Sequence, residues 1–207
     1  MNLHVAYICG ILSTRGSVSF NKVKGNYRYY LETKDPRLAK RFAKTLFLAF
    51  SERPRIINRN GSRCVVLYGK KHVETILNYI SIDEHIPKSQ EEPFVRNFLQ
   101  GIFDFNSSVR LKDRVHKNGR IQSIPQIRVN SKRLKVLEFV KNELKKRGIN
   151  SSIYRSGETF TLEISGKSNV LMFIKKIGGK NKEKIGKLKS FLGWYEKSRS
   201  PIVEVKE

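Results

Sequence analysis

Arginine, glutamine and asparagine are the side chains best suited to reading base edges, and arginine and lysine the ones that hold phosphates. Strand side chains alternate between faces, so a surface built from them shows at every second residue. Residues 109–115 separate in this way: Val109 and Leu111 fall on one face, Arg110, Lys112 and Arg114 on the other. Gln126 and Arg128 alternate with Ile127 and Val129. Earlier in the chain Ser19 and Asn21 alternate with Val18 and Phe20, and Arg28 and Tyr30 with Tyr29 and Leu31. Arg53, Arg55 and Arg59 add charge to the next strand pair, and Arg155 to its later counterpart. Acids are scarce on these runs, Glu32 and Glu163 being the notable exceptions. An ordinary solvated sheet face is the alternative; the scarcity of acids favours a surface for a polyanion.

The whole chain agrees with that reading. Its 207 residues carry 42 Lys+Arg against 18 Asp+Glu, a formal charge of +24. Like charges repel across a compact body, so the excess is explained by a polyanionic partner. With 39% hydrophobic and 10% aromatic residues the chain has material for a core, which excludes global disorder. No apolar run approaches the roughly 20 residues that cross a bilayer, and Met1-Asn2-Leu3-His4 lacks the charged start of a secretory signal. Cys9 and Cys64 make no disulfide framework, and the four histidines show no zinc spacing. The expectation is a soluble intracellular protein of a reducing compartment with no membrane partner.

The elements that must carry these residues recur along the chain. Leu3 to Thr14 is an apolar stretch long enough for a buried helix, broken at Gly16. Strand-like runs Val18–Phe20 and Tyr27–Leu31 follow, around Lys24-Gly25-Asn26. Asp35-Pro36 starts a helix that keeps Leu38, Phe42, Leu46 and Ala49 at helical spacing. Strands near Arg55–Arg59 and Arg63–Tyr68 turn at Asn60-Gly61, and Gly69-Lys70 opens a further helix. After Ser81–Gln90 the same αββαββα order returns. Its helix is Pro93–Phe105, its first hairpin Val109–Val115 and Ile121–Val129 around Asn118-Gly119. A helix with Leu134, Leu137, Val140 and Leu144 follows, closed by Gly148; then come Ile153–Arg155, Phe160–Ile164 and a helix from Gly166-Lys167.

Individual residues repeat too. Gly10 and Gly101 lie 91 positions apart, as do Gly16 and Ser107; Arg37-Leu38 and Arg133-Leu134 lie 96 apart. Gly69-Lys70-x-x-Val73 and Gly166-Lys167-x-x-Val170 lie 97 apart. Ordered pairings with small drifts mark a duplicated unit, the second with five extra residues in its first hairpin. The expected organisation is a repeat at 1–80, a linker at 81–90, and a second repeat at 91–196. That repeat ends in an amphipathic helix anchored by Trp194, and a tail follows at 197–207. A monomer with internal pseudo-twofold symmetry is the natural arrangement.

Ile8-Cys9-Gly10-Ile11-Leu12-Ser13-Thr14-Arg15-Gly16 and Leu99-Gln100-Gly101-Ile102-Phe103-Asp104-Phe105-Asn106-Ser107 resemble the paired signature helices of LAGLIDADG homing endonucleases and maturases. Ser165-Gly166-Lys167-Ser168-Asn169-Val170 and the basic Lys180-Asn181-Lys182-Glu183-Lys184 resemble that family as well. The resemblance implies an α+β fold of two αββαββα repeats. Gly10 and Gly101 would let the two helix backbones approach at the repeat interface, and a β-saddle over the helix ends would hold duplex DNA.

It also implies where chemistry would sit. In active relatives the eighth signature residue is acidic, and the pair of acids holds divalent metals that activate water. Here those positions are Arg15 and Asn106. Arginine repels a cation and asparagine offers only a neutral oxygen, so no catalytic residue, metal or cofactor is expected; Mg²⁺ enters only under an endonuclease reading. Asp104, the remaining acid, is expected to serve the helix end or the packing. Arg15 is expected either to contact phosphate beneath the groove or to be paired internally or solvated. Lys182 falls where the family has a basic residue near its centre, with Lys88 a weaker counterpart in the linker.

Three readings follow: a non-cleaving protein that grips double-stranded DNA or structured RNA on a basic saddle; a homing endonuclease in which another group replaces the missing acids; and an RNA maturase or ribonucleoprotein assembly factor.

Overall fold

Asn2 opens the first helix by accepting the His4 and Val5 amides on its side chain, the bond a helix start needs. The computed structural model describes residues 2–21, 25–81, 83–115 and 121–197, side chains of 194–197 excepted. Lys24, the Asn118-Gly119 turn, the Trp194 anchor and the tail from 198 therefore lie outside the described residues. The first repeat runs α1 (Leu3–Thr14), β1 (Ser17–Asn21), β2 (Asn26–Thr33), α2 (Pro36–Phe50), β3 (Arg55–Arg59), β4 (Ser62–Tyr68) and α3 (Lys70–Tyr79). The second runs α4 (Glu92–Asn106), β5 (Ser107–Val115), β6 (Ile121–Ser131), α5 (Leu134–Lys146), β7 (Ser152–Ser156), β8 (Thr159–Ser165) and α6 (Lys167–Lys176), and α7 (Lys182–Lys197) follows.

Local chemistry accounts for the boundaries. Asp35 accepts the Arg37 amide at 2.8 Å and Pro36 takes the first helical turn of α2. Asn60 and Gly61 stand at φ 43° and 74°, the doubly left-handed turn that joins a tight hairpin. Gly148, at φ 72°, closes α5, its amide reaching Lys145 O and that of Ile149 reaching Leu144 O.

The strand orders are β1-β2-β4-β3 and β5-β6-β8-β7, every neighbour antiparallel. The pairings also fix how the repeats correspond, and they correct the count of inserted residues. Thr33 pairs with Arg63 as Ser131 pairs with Phe160, and Leu31 with Val65 as Val129 with Leu162. That sets β2 and β6 98 positions apart, whereas Ser17 and Ser108, opposite Tyr30 and Arg128, are 91 apart. The second hairpin is therefore longer by seven residues rather than five. Arg133 corresponds to Asp35, not Arg37; the repeated Arg-Leu pair is a coincidence of sequence.

Tyr29, Leu31, Val65 and Leu67, with Ile127, Val129, Leu162 and Ile164, turn one face of each sheet onto the helices. Helix α1 is buried from Val5 through Ser13. Its contact with α4 is as close as backbones allow. A Cβ on Gly10 would lie 2.0 Å from the Phe98 carbonyl oxygen, and one on Gly101 2.1 Å from that of Tyr7. The two glycines are thus reciprocal, each against the residue three before the other. Among the described residues no helix is long and apolar enough to cross a membrane.

Candidate nucleic-acid interface

The face of each sheet away from the helices is open, and strand pairing states which residues stand on it. On the first sheet these are Ser17, Ser19 and Asn21; Arg28, Tyr30 and Glu32; Cys64, Val66 and Tyr68; and Arg55, Ile57 and Arg59. Arg28 lies 5.7 Å from the Tyr30 ring centre and Arg55 5.8 Å from that of Tyr68. On the second sheet they include Ser108, Arg110, Lys112 and Arg114 with Gln126, Arg128, Glu163, Ser165 and Tyr154.

Three expected residues stand elsewhere. Arg155 pairs with Phe160 and lines a 550 Å³ cleft with Leu134, Glu138 and Lys141 of α5. It is on the helix side of the second sheet, one step out of phase with Tyr154. Lys88 donates its ammonium to the Leu77 carbonyl at 2.7 Å, closing α3 rather than facing a groove. Arg53 precedes β3 and belongs to no strand.

Both open faces start at the C-terminal ends of α1 and α4. A helix C-terminus carries unbonded carbonyls and roughly half a negative charge, and each of these ends is met by a cation from a distant part of the chain. Arg133 donates to the Leu12 and Ser13 carbonyls of α1 at 3.1 and 2.8 Å. Lys184 donates to Phe103 O at 3.0 Å and Ser107 O at 2.5 Å. Arg15 reaches across the interface to Phe105 O at 3.2 Å. Burial pushes the Lys184 amine down to about 8; the Asp104 charge opposes the shift while Arg41 and Arg15 add to it. Asn106 donates its side-chain amide to the Asn130 carbonyl.

Asp104 is only 2% exposed. Its Oδ2 accepts the Tyr7 hydroxyl at 2.6 Å and the Lys180 and Asn181 amides at 2.7 and 3.1 Å. Burial, reinforced by that carboxylate, pushes the Tyr7 hydroxyl up from its ordinary value. Asp104 therefore ties α1, α4 and the approach to α7 together.

Residues 93–178 match the family model of the LAGLIDADG-like domain. The second repeat is similar to a LAGLIDADG-like domain. The chain is similar to the structure of I-DmoI in complex with DNA and Ca, with a TM-score of 0.69 at 17% identity over 92% of this chain and 100% of that one. Full-length DUF199/WhiA from Thermatoga maritima gives a TM-score of 0.65 at 18% identity, covering 99% of this chain and 63% of that one. The N-terminal LAGLIDADG domain of DUF199/WhiA gives 0.60 at 18%, over 90% and 87%. At such identities the likeness establishes the two-repeat LAGLIDADG fold. No curated protein matches the sequence.

Within the LAGLIDADG fold, the eighth signature positions hold a guanidinium and an amide, and Arg133 and Lys184 add two further cations beside them. This donor set does not fit a divalent metal. Among the described residues no cluster of three or more His, Cys, Asp or Glu exists that could hold one. Of the lysines in the first turn of α7, Lys184 reaches the helix ends and Lys182 is exposed. The signal was in the sequence, since Lys184 precedes the buried Leu188 by four and shares its side of the helix. Arg133 had no such signal, because its partners are 120 and 121 residues away.

Proposed function

We propose that this chain grips duplex nucleic acid along the open faces of its two sheets and does not hydrolyse it. The observation that carries the reading is the excess of cations along the path, on which Glu32 and Glu163 are outnumbered. Arg28, Arg55 and Arg59 stand on one sheet, Arg15 and Lys184 at the helix ends, and Arg110, Lys112 and Arg128 on the other. Hydrolysis by paired metal ions needs carboxylates to hold them, and cations at the same place repel them. Two of the I-DmoI structures that this fold matches are complexes with DNA, which supports duplex DNA over structured RNA as the partner.

The test is fluorescence polarisation with a mixed-sequence DNA duplex and a structured RNA hairpin, titrated over salt concentration. Duplex binding is expected with a steep salt dependence: a site neutralising about six phosphates has a log–log slope near −5. Binding to the hairpin with none to the duplex moves the reading to an RNA partner. Binding to neither overturns it.

A further inference from the structure

The two open faces are not copies of one another. Under the strand correspondence, Gln126 stands where the first sheet has Arg28, Arg110 where it has Ser19, Arg128 where it has Tyr30, and Glu163 where it has Val66. On the second face these residues form one connected chain. Gln126, 2% exposed, accepts Arg110 Nε on its carbonyl oxygen at 3.1 Å. Its amide donates to Glu163 at 3.0 Å and to Ser165 at 3.3 Å. Glu163 accepts the Tyr154 hydroxyl at 3.2 Å and lies 3.7 Å from Arg128 Nε, while Arg128 Nη2 bonds Tyr154. On the first face Arg28 and Arg55 instead lie 5.7 and 5.8 Å from tyrosine ring centres. Among the described residues no carboxylate lies within ion-pair distance of Arg28, Arg55 or Arg59 there.

This difference has a physical consequence. An arginine tethered through Nε is ordered before it binds and loses less freedom on doing so. Arg110, held through Nε, keeps both terminal nitrogens as the fork that spans O6 and N7 of a guanine in the major groove, whereas Arg128, oriented by Tyr154 and the Glu163 carboxylate, keeps one free of Tyr154. A carboxylate behind the guanidinium also weakens indiscriminate attraction to phosphate. An untethered arginine is suited to phosphate contact that carries no sequence information.

We propose that the second sheet is the half that reads base sequence, with Gln126 and Glu163 as positioning residues for Arg110 and Arg128. The first sheet holds its half of the duplex through phosphates, so the preferred site is asymmetric. This inference rests on the duplex-binding reading above.

The test is selection of bound sequences from a randomised DNA duplex library, using the full chain and the variants Gln126→Met, Glu163→Gln and Arg28→Ala, each checked for folding by thermal melting. The unsubstituted chain is expected to enrich defined bases, guanine among them, in one half of the site. Gln126→Met and the nearly isosteric Glu163→Gln each flatten that preference by about tenfold at one or two base pairs. In both variants affinity for the enriched sequence falls by more than affinity for unselected duplex, because few phosphate contacts change. Arg28→Ala weakens binding to all sequences alike. Equal enrichment in both halves, or preference retained in both positioning variants, overturns the inference. Duplex binding without any base preference also overturns it and leaves the binding reading standing; no duplex binding at all overturns that reading instead.

Discussion

Asp104 turns its carboxylate inward, and the three donors on its Oδ2 predict how its loss is felt. Asp104→Ala leaves a buried tyrosine hydroxyl and two amides without their acceptor, at about 1 kcal/mol or more each. The expected loss is about 3 kcal/mol in urea denaturation, identical with and without Mg²⁺; a magnesium-dependent difference would indicate a ligand role. Lys184 predicts a pH dependence. Folded, its amine titrates near 8 against an ordinary 10.5, so between those values the unfolded chain binds the extra proton. Stability contributed at this residue therefore rises with pH across that window and is level below it. Lys184→Met removes the rise, about 2 kcal/mol after allowance for solvent screening, measured as the difference between the two proteins at pH 7.5 and 10.

At the scale of elements, helix contact is the strictest requirement. Gly10→Ala places a methyl group 2.0 Å from the Phe98 oxygen, forcing α1 and α4 apart, with a loss above about 4 kcal/mol or failure to fold. Gly25→Ala meets nothing within 4 Å and only the cost of φ +60°, about 1 kcal/mol. Thermal melting of the two variants separates these cases. The elements themselves were legible in the sequence, because periodicity, Asp35-Pro36, Asn60-Gly61 and Gly148 are local signals. Which residues share the open faces was largely legible from strand alternation. Charge alone points Arg155 to the groove, whereas its parity with Phe160 puts it on the other face. Lys88 and Arg133 act on helix ends that only tertiary packing brings near them. The seven-residue insertion could be counted only once strand register was known.

For the whole molecule, the charge of +24 becomes an arrangement: two basic faces joined at helix ends that are already occupied by cations. With cations at those ends, affinity for duplex is expected to be the same in EDTA as in Mg²⁺ at matched ionic strength, apart from ordinary counterion competition. The most direct test of a groove that grips without cutting is incubation of the protein, in excess, with supercoiled plasmid libraries in Mg²⁺ or Mn²⁺, followed by denaturing gels. Intact strands at protein concentrations that saturate binding are the predicted result. Reproducible nicks or double-strand breaks at a defined sequence, lost in EDTA, would contradict it.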